Sequence, residues 1–187
     1  TADSLAGRME TLVLLPLAGC EMQDRPGRWL DAVYAGKIPK AKRPEVGSVL
    51  LEKVLRGGYP EAVARATSRR RATWARQYTD ALLQRDVREI AHIDKLDHLP
   101  RLLKALALTT GRLCNFAQLG GQVGLDSKTC HKYLAVLEQM FLLRRVEPWS
   151  VNRLSRIVKT PKLQFLDSGL LSALVGLNEV TAAQDRS

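Results

Sequence analysis

The sequence predicts a mainly α-helical protein, a helical bundle plus a winged helix-turn-helix, with a few short β-strands. Leucines at positions 99, 102, 103 and 106 follow helical spacing, as the core-facing side of a helix does. Within residues 115–141, two apolar-periodic segments are separated by a tight glycine-containing turn. Short strand-like segments rich in arginine then follow, as the wing of such a domain requires.

Charge is the main compositional signal. The chain has 187 residues, enough for one good core or two small ones, and 45% of them are hydrophobic. Lysine and arginine number 29 against 19 acidic residues, which gives a formal net charge of +10 and a pI near 9.9. This excess predicts a polyanionic partner, nucleic acid before an acidic membrane surface. The alternative is a basic protein from an arginine-rich, high-GC genome.

The cysteines predict neither a zinc site nor a disulfide framework. Cys20, Cys114 and Cys130 are far apart in the sequence and form no C-x-x-C pair. We therefore expect a cytoplasmic protein. No apolar run has the length of a bilayer span and no signal peptide is visible, so no membrane association is expected. The chain begins at Thr1, without an initiator methionine, and soon enters a strand-like block, which predicts a fragment of a longer polypeptide.

The first elements predicted along the chain are a strand and a linker. The apolar run Glu10–Leu17 is interrupted by a proline near its end and resembles a strand buried on both faces of a parallel sheet. No neighbouring strand precedes it, so we expect it to join the sheet of another chain or to pack poorly. The basic, proline-containing segment 36–44 is predicted to be an exposed linker.

Helices follow the linker. A first helix, Val49–Leu55, ends at paired glycines before Pro60. An arginine-rich helix begins at Ser68, and its buried side is predicted to carry Trp74, Tyr78 and Leu82. Arg69, Arg70 and Arg71 lie in its first turn, where each cation costs about a few tenths of a kcal/mol. They are either a solvated charge run, the favoured interpretation, or contacts for phosphate or an acidic partner.

The helix-turn-helix supplies the candidate functional residues. Asp126 or Ser127 is predicted to cap its second helix. Cys130, Leu134, Leu137 and Phe141 should form one buried stripe. The open side lies near the leading end, where such helices touch bases and phosphates, and on or near it are Ser127, Lys128, Thr129, His131, Lys132 and Tyr133. The alternative is that Lys128 and Lys132 form only a solvated face and that Tyr133 packs at the edge of the core.

The predicted wing is basic as well. It consists of Leu142–Val146, an irregular stretch to Ser155, and Arg156–Lys159. Arg144, Arg145, Arg153, Arg156 and Lys159 would grip the phosphate backbone. The residues that we predict to contact duplex DNA are Ser127, Lys128, Thr129, Lys132, Tyr133, Arg144 and Arg145. The alternative is a protein-interaction module, in which Tyr133, Phe141 and Trp149 are buried at an interface and the basic residues only confer solubility.

No catalytic set is recognisable in the sequence. A phosphate-cradling P-loop is absent, so this chain alone is predicted to bind no cofactor and to hydrolyse no ATP. The carboxylates Asp86, Glu89, Asp94 and Asp97 have no histidine or cysteine that completes a metal site. Asp167 ends the strand-like segment Lys162–Leu166, and we interpret it as a helix cap rather than a catalytic acid.

Several segments together resemble a large prokaryotic family of ATP-binding proteins with an AAA-superfamily core and a C-terminal domain of unknown function. Besides the helix-turn-helix, they are Ser4–Arg8, Leu15–Leu17 with Glu21, Gly57–Glu61, Arg85-Asp86 and Pro161–Leu170.

The resemblance implies an origin and further partners for the chain. It implies that the chain starts at the end of the ATPase core, that Walker motifs precede Thr1, and that the intact protein uses ATP and magnesium. It also implies that Arg8 senses the γ-phosphate of the nucleotide or the site of a neighbouring subunit. The alternative is that Arg8 pairs with an acidic residue of the core sheet. The nuclease-like region that follows in the family is not reached, because its acids and lysine are absent before Ser187.

These observations divide the chain into a core remnant with linker (1–45), a helical subdomain (46–110) and a winged helix-turn-helix with a following strand and helix (111–187). The predicted function is DNA binding, and the ATPase core or a second copy is the expected protein partner. The alternative function is protein-protein interaction or oligomerisation without nucleic-acid contact.

Overall fold

Helices make up most of the chain in the computed structural model, which describes residues 10, 12–37, 44–87, 96–149, 151 and 160–184. The predicted mainly α-helical class, with few short strands, is confirmed. The helices are α1 (Trp29–Tyr34), α2 (Gly47–Arg56), α3 (Pro60–Val63), α4 (Ser68–Ala81), α5 (Leu99–Leu108), α6 (Phe116–Val123), α7 (Ser127–Gln139), α8 (Ser168–Val175) and α9 (Glu179–Gln184). The strands are β1 (Leu143–Val146) and β2 (Lys162–Phe165).

The centre of the core is α5. All four leucines of its predicted apolar side, 99, 102, 103 and 106, are fully or almost fully buried. Around them a single hydrophobic cluster extends from Ala75 on α4 to Leu170 on α8. Burying a leucine side chain contributes about 1.5–3 kcal/mol, so α5 supplies much of the stability of the molecule.

Aromatic packing fixes α4 at the edge of this core. Trp74, Tyr78 and Leu82 are partly buried against the cluster, as predicted. The Trp74 and Tyr78 rings are stacked with centroids 4.9 Å apart, and Tyr59 tilts against both rings. Beyond Ala81 the helix widens into a π-helical turn, Leu82–Asp86.

Asp167 joins three distant segments. Its Oδ1 accepts a hydrogen bond from the Leu170 amide at 2.6 Å, which confirms the predicted cap of α8. Its Oδ2 accepts another from the Gly58 amide at 2.6 Å, and the Gly58 carbonyl accepts from the Leu17 amide at 2.8 Å. The adjoining Gly57 has φ +65°, and a Cβ there would lie 2.5 Å from Asp167 Oδ1, so the corner after α2 requires glycine.

The apolar N-terminal segment does not form the predicted buried strand within this chain. Residues 12–17 belong to no strand, and Leu14 is 90% exposed. The pairing of this N-terminal segment with the sheet of another chain stays a prediction. Residues 38–43 of the predicted linker lie outside the described residues. Along the described part of the chain, no helix combines the length and apolarity that crossing a membrane requires.

Helices α5, α6 and α7 form a three-helix unit with a small sheet. α6 packs on α5 and on α7, and α7 packs on β1. β1 pairs antiparallel with β2, Leu143 lying opposite Phe165, and Leu113 forms an isolated antiparallel bridge to Lys162. We expected Arg156–Lys159 as the second wing segment, and those residues lie outside the described ones. The strand predicted at Lys162–Leu166 is the one that pairs with β1.

Candidate nucleic-acid interface

Two capped helices and a glycine turn build the helix-turn-helix. The Asn115 Oδ1 accepts from the Gln118 amide at 3.1 Å and caps α6. α6 ends at Val123, and the next residue, Gly124, has a left-handed φ of +75° that reverses the chain. A Cβ on Gly120 would lie 2.7 Å from the Leu125 carbonyl oxygen, so the turn packs closely against α6. α7 therefore begins only a few residues after α6 ends.

Asp126 caps the candidate recognition helix, as predicted. Its Oδ1 accepts from the Thr129 amide at 2.9 Å and its Oδ2 from the Thr129 hydroxyl at 2.6 Å. These hydrogen bonds from Thr129 hold the pKa of Asp126 below its ordinary value. Thr129 is half-buried, and its hydroxyl proton is committed to the cap. Thr129 thus positions the leading end of α7 rather than presenting a hydrogen-bond donor.

The buried side of α7 matches the predicted stripe except at its end. Cys130, Leu134 and Leu137 are inaccessible to solvent. Burial raises the pKa of the Cys130 thiol to about 11. The prediction for Phe141 is wrong, because α7 ends at Gln139 and Phe141 adopts a left-handed φ of +55°, which turns its side chain out to 46% exposure.

The leading end of α7 is open. Ser127, Lys128, His131 and Lys132 are exposed, and their spacing of i, i+1, i+4 and i+5 places them on one side of the helix. The prediction that Tyr133 lies on this open side is wrong, since the side chain is 2% exposed and belongs to the hydrophobic core. Tyr133 follows Cys130 by three residues and precedes Leu137 by four, so helical spacing is compatible with its burial.

The wing residues divide into one exposed cation and one held in an ion pair. Arg144 on β1 is exposed. Arg145 is half-buried, and its Nη2 lies 2.6 Å from Oε2 of Glu138 on α7. Its Nε and backbone amide also donate to the Glu138 carboxylate, and the pair raises the pKa of Arg145. Arg145 therefore fixes β1 to α7, whereas Arg153, Arg156 and Lys159 lie outside the described residues.

A cavity of about 640 Å³ lies beside the leading ends of α6 and α7. Ser127, His131 and Arg145 line it together with Phe116. The His131 ring packs on the Phe116 ring, with centroids 4.0 Å apart. Sequence reasoning could not single out His131 among its neighbours, because the contact with Phe116 depends on how α6 crosses α7. The cavity makes His131 an additional candidate for contact with a ligand.

A family model described as a domain of unknown function, DUF8612, matches residues 48–181. The chain belongs to this family. The chain also matches two uncharacterized proteins, one from Mycobacterium tuberculosis and one from Mycobacterium bovis, each 27% identical over 184 residues. The match covers 98% of this chain and 36% of each relative, so the chain spans about a third of their length. No solved structure matches it.

The DUF8612 region includes the whole candidate interface. It begins at the start of α2 and ends within α9, so the helical bundle and the winged helix both lie inside it. Arg8, the predicted nucleotide-sensing residue, precedes the region and lies outside the described residues. Across the described ranges of the chain, no three His, Cys, Asp or Glu side chains come together as a metal site would require.

Proposed function

We propose that this chain binds duplex DNA through its winged helix, with α7 in the major groove. The observation that carries the proposal is the open, basic leading end of α7, where Ser127, Lys128, His131 and Lys132 are exposed on one side. Helix-turn-helix proteins contact base edges with this part of their second helix. The net charge of +10 supports a polyanionic partner.

The geometry divides the predicted contact residues into two groups. Lys128, Lys132 and the wing residue Arg144 are exposed and would contact phosphates, while Ser127 would reach a base edge or a phosphate. Thr129, Tyr133 and Arg145 act instead by positioning α7 and β1. The exposed Asp126 carboxylate repels phosphate at the cap of α7, so the lysines that follow are the better phosphate ligands.

We further propose that the chain is the C-terminal region of an AAA-type ATP-binding protein. Its sequence resembles that family, and the mycobacterial relatives are almost three times as long as the matched segment. The exposed apolar residues 12–15 and Leu17 support pairing with the sheet of such a core. ATP and magnesium would bind in that core, Arg8 would sense the nucleotide, and nucleotide binding would change how α7 is presented to DNA.

A protein-interaction module is the second candidate function. Phe141 is 46% exposed and Trp149 is 80% exposed, and exposed aromatic side chains often anchor protein interfaces. In this case the ATPase core or a second copy of the chain would cover them. Tyr133 no longer supports this candidate, because it is buried within the chain itself.

The test compares two double charge reversals within the three-helix unit. Lys128→Glu with Lys132→Glu should weaken binding to nonspecific duplex by at least about tenfold and lower the slope of log affinity against log salt by about 2. Arg101→Glu with Lys104→Glu is the matched control, because both residues are exposed on α5 and the charge change is identical. Gel retardation at two salt concentrations measures both. Unchanged retardation of the α7 variant would favour the interaction module.

A further inference from the structure

We propose that the leading end of α4 is a second phosphate-binding surface for nucleic acid, separate from the winged helix. One cavity of about 510 Å³ is lined by Arg65, Arg69 and Arg70 together with Thr67, Thr73, Trp74 and Gln77. This set of residues is called the arginine cavity below. α4 packs on α2, α3 and α8, whereas α7 packs on α6 and β1, so the two surfaces belong to different parts of the fold.

Aromatic packing holds one wall of the arginine cavity in place. The Arg65 guanidinium carbon lies 5.6 Å from the centre of the Trp74 ring. That ring is itself stacked on Tyr78, with an angle of 10° between the ring planes. The Arg65 Nη1 donates to the Glu61 carbonyl and lies 3.4 Å from Glu61 Oε2, but the Glu61 side chain is 76% exposed. Such a pair is weak in water, so Arg65 keeps most of its capacity to bind an anion.

The charge at this end of α4 is uncompensated within the cavity. Arg69 and Arg70 lie in the first helical turn and are exposed, and no acidic side chain lines the cavity. Cations are unfavourable there, because the N-terminus of a helix is the positive end of its dipole. A bound phosphate offsets this repulsion, because its negative charge is attracted both to the arginines and to the positive end of the helix dipole. The arrangement costs stability in the free protein and favours binding of an anion.

The chemistry of the arginine cavity favours nucleic acid over an acidic protein. Its cations are all arginines, whose planar forks match phosphate oxygens. Its remaining polar residues, among them Thr67 and Thr73, are of the type that contacts phosphate and sugar. A protein interface is expected to have an apolar centre, which this cavity lacks apart from the Trp74 ring.

Trp74 is a local reporter for the test. The chain has three tryptophans, and Trp29 and Trp149 are exposed, so Trp29→Phe with Trp149→Phe leaves Trp74 as the sole fluorophore. Adding a short duplex oligonucleotide to this variant should change Trp74 emission, and raising the salt concentration should reverse the change. An emission that does not respond to saturating duplex would overturn the proposal.

Arg69→Glu with Arg70→Glu is made in the same background. The duplex affinity obtained from Trp74 emission should fall at least about tenfold, and the slope of log affinity against log salt should fall by about 2. The Tm of this variant should not fall, because glutamates are favourable in the first turn of a helix. A loss of binding therefore cannot be ascribed to unfolding. Arg101→Glu with Lys104→Glu is the matched control, since both residues are exposed on α5 and neither lines the arginine cavity. Equal weakening by both variants would show a general charge effect and overturn the proposal.

Two further measurements test whether the winged helix, rather than the arginine cavity, binds the duplex, and whether the partner is an acidic protein. Lys128→Glu with Lys132→Glu should leave the Trp74 response to duplex intact. If the response is lost, the duplex binds at the winged helix and the proposal of a second surface is wrong. A poly-glutamate peptide should displace the duplex poorly. If it competes as well as the duplex at equal charge, the partner is an acidic protein and the assignment to nucleic acid is wrong.

Discussion

Asp167 shows what a single residue contributes at a junction. The sequence predicted its role as a cap, because a carboxylate directly before a helix start accepts from the free amides of the first turn. Its second partner could not be predicted, since Gly58 lies 109 residues away in the chain. Both carboxylate oxygens accept from backbone amides, and the residue is 5% exposed. The carboxylate is thus a structural group with both acceptors occupied.

Asp167→Ala should lower the free energy of unfolding by about 2–3 kcal/mol, because it removes a helix cap and leaves the buried Gly58 amide without its acceptor. Asp167→Asn retains one acceptor oxygen and should lose less. Urea denaturation followed by circular dichroism measures both values. Asp126→Ala removes an exposed cap with no distant partner and should cost less than Asp167→Ala. Equal losses at the two positions would show that the bond to Gly58 contributes nothing.

The buried thiols predict a pH dependence at the alkaline end. Burial raises the pKa of Cys130 from 9.0 to about 11, and it also raises that of Cys114. Between pH 9 and 11 the unfolded chain loses the Cys130 proton and the folded chain keeps it, so stability falls as the pH rises through this window.

Cys130→Ala should therefore show a smaller loss of stability between pH 8 and pH 10.5 than the unchanged protein does. Urea midpoints at the two pH values provide the measurement. The variant is expected to be less stable at pH 8, because it leaves a small cavity, so the comparison concerns the change with pH and not the absolute value. If the stability of the two proteins falls equally with pH, the raised pKa of the Cys130 thiol is not the cause of the loss.

At the scale of elements, local periodicity predicted the helices and their buried sides well. The leucines of α5 and the residues Cys130, Leu134 and Leu137 of α7 are buried as their spacing indicates. The errors occur where tertiary contacts decide. Phe141 turns outward because the helix ends before it, and Tyr133 is drawn into the core. The end of the helix before Phe141 has no signal in this spacing, whereas Tyr133 lies three residues after Cys130 and four before Leu137, as a residue on the buried side would.

The ion pair between Glu138 and Arg145 is a contact between elements that sets the orientation of the wing. The carboxylate accepts from the Arg145 side chain and from its backbone amide, so it fixes both the strand and its side chain against α7. A double-mutant cycle with Glu138→Ala and Arg145→Ala should give a coupling free energy of about 1 kcal/mol.

The same cycle with the exposed Arg144→Ala in place of Arg145→Ala is the control and should give a coupling near zero. Chemical denaturation of the single and double variants supplies the free energies. A coupling for Arg145 as small as that for Arg144 would mean that Arg145 is free to contact DNA, as the sequence had indicated.

At the scale of the whole molecule, the contacts that could not be predicted are those between segments far apart in the chain. α8 follows the winged helix in sequence but packs on α2, α4 and α5. The corner at Gly58 contacts residue 17 on one side and residue 167 on the other. Hydrophobic periodicity indicates which side of a helix is buried, but it carries no information on which other element covers that side.

Because one hydrophobic cluster extends from Ala75 to Leu170, α4, the winged helix and α8 should unfold in a single transition. Trp74 emission in the Trp29→Phe, Trp149→Phe background reports on α4, and far-ultraviolet circular dichroism reports on all helices. The two urea curves should coincide. Leu170→Ala should shift both midpoints together and cost about 2–4 kcal/mol, because Leu170 is 1% exposed within the shared cluster. Two separate midpoints, or a shift in Trp74 emission alone, would show that the helical bundle and the winged helix unfold independently.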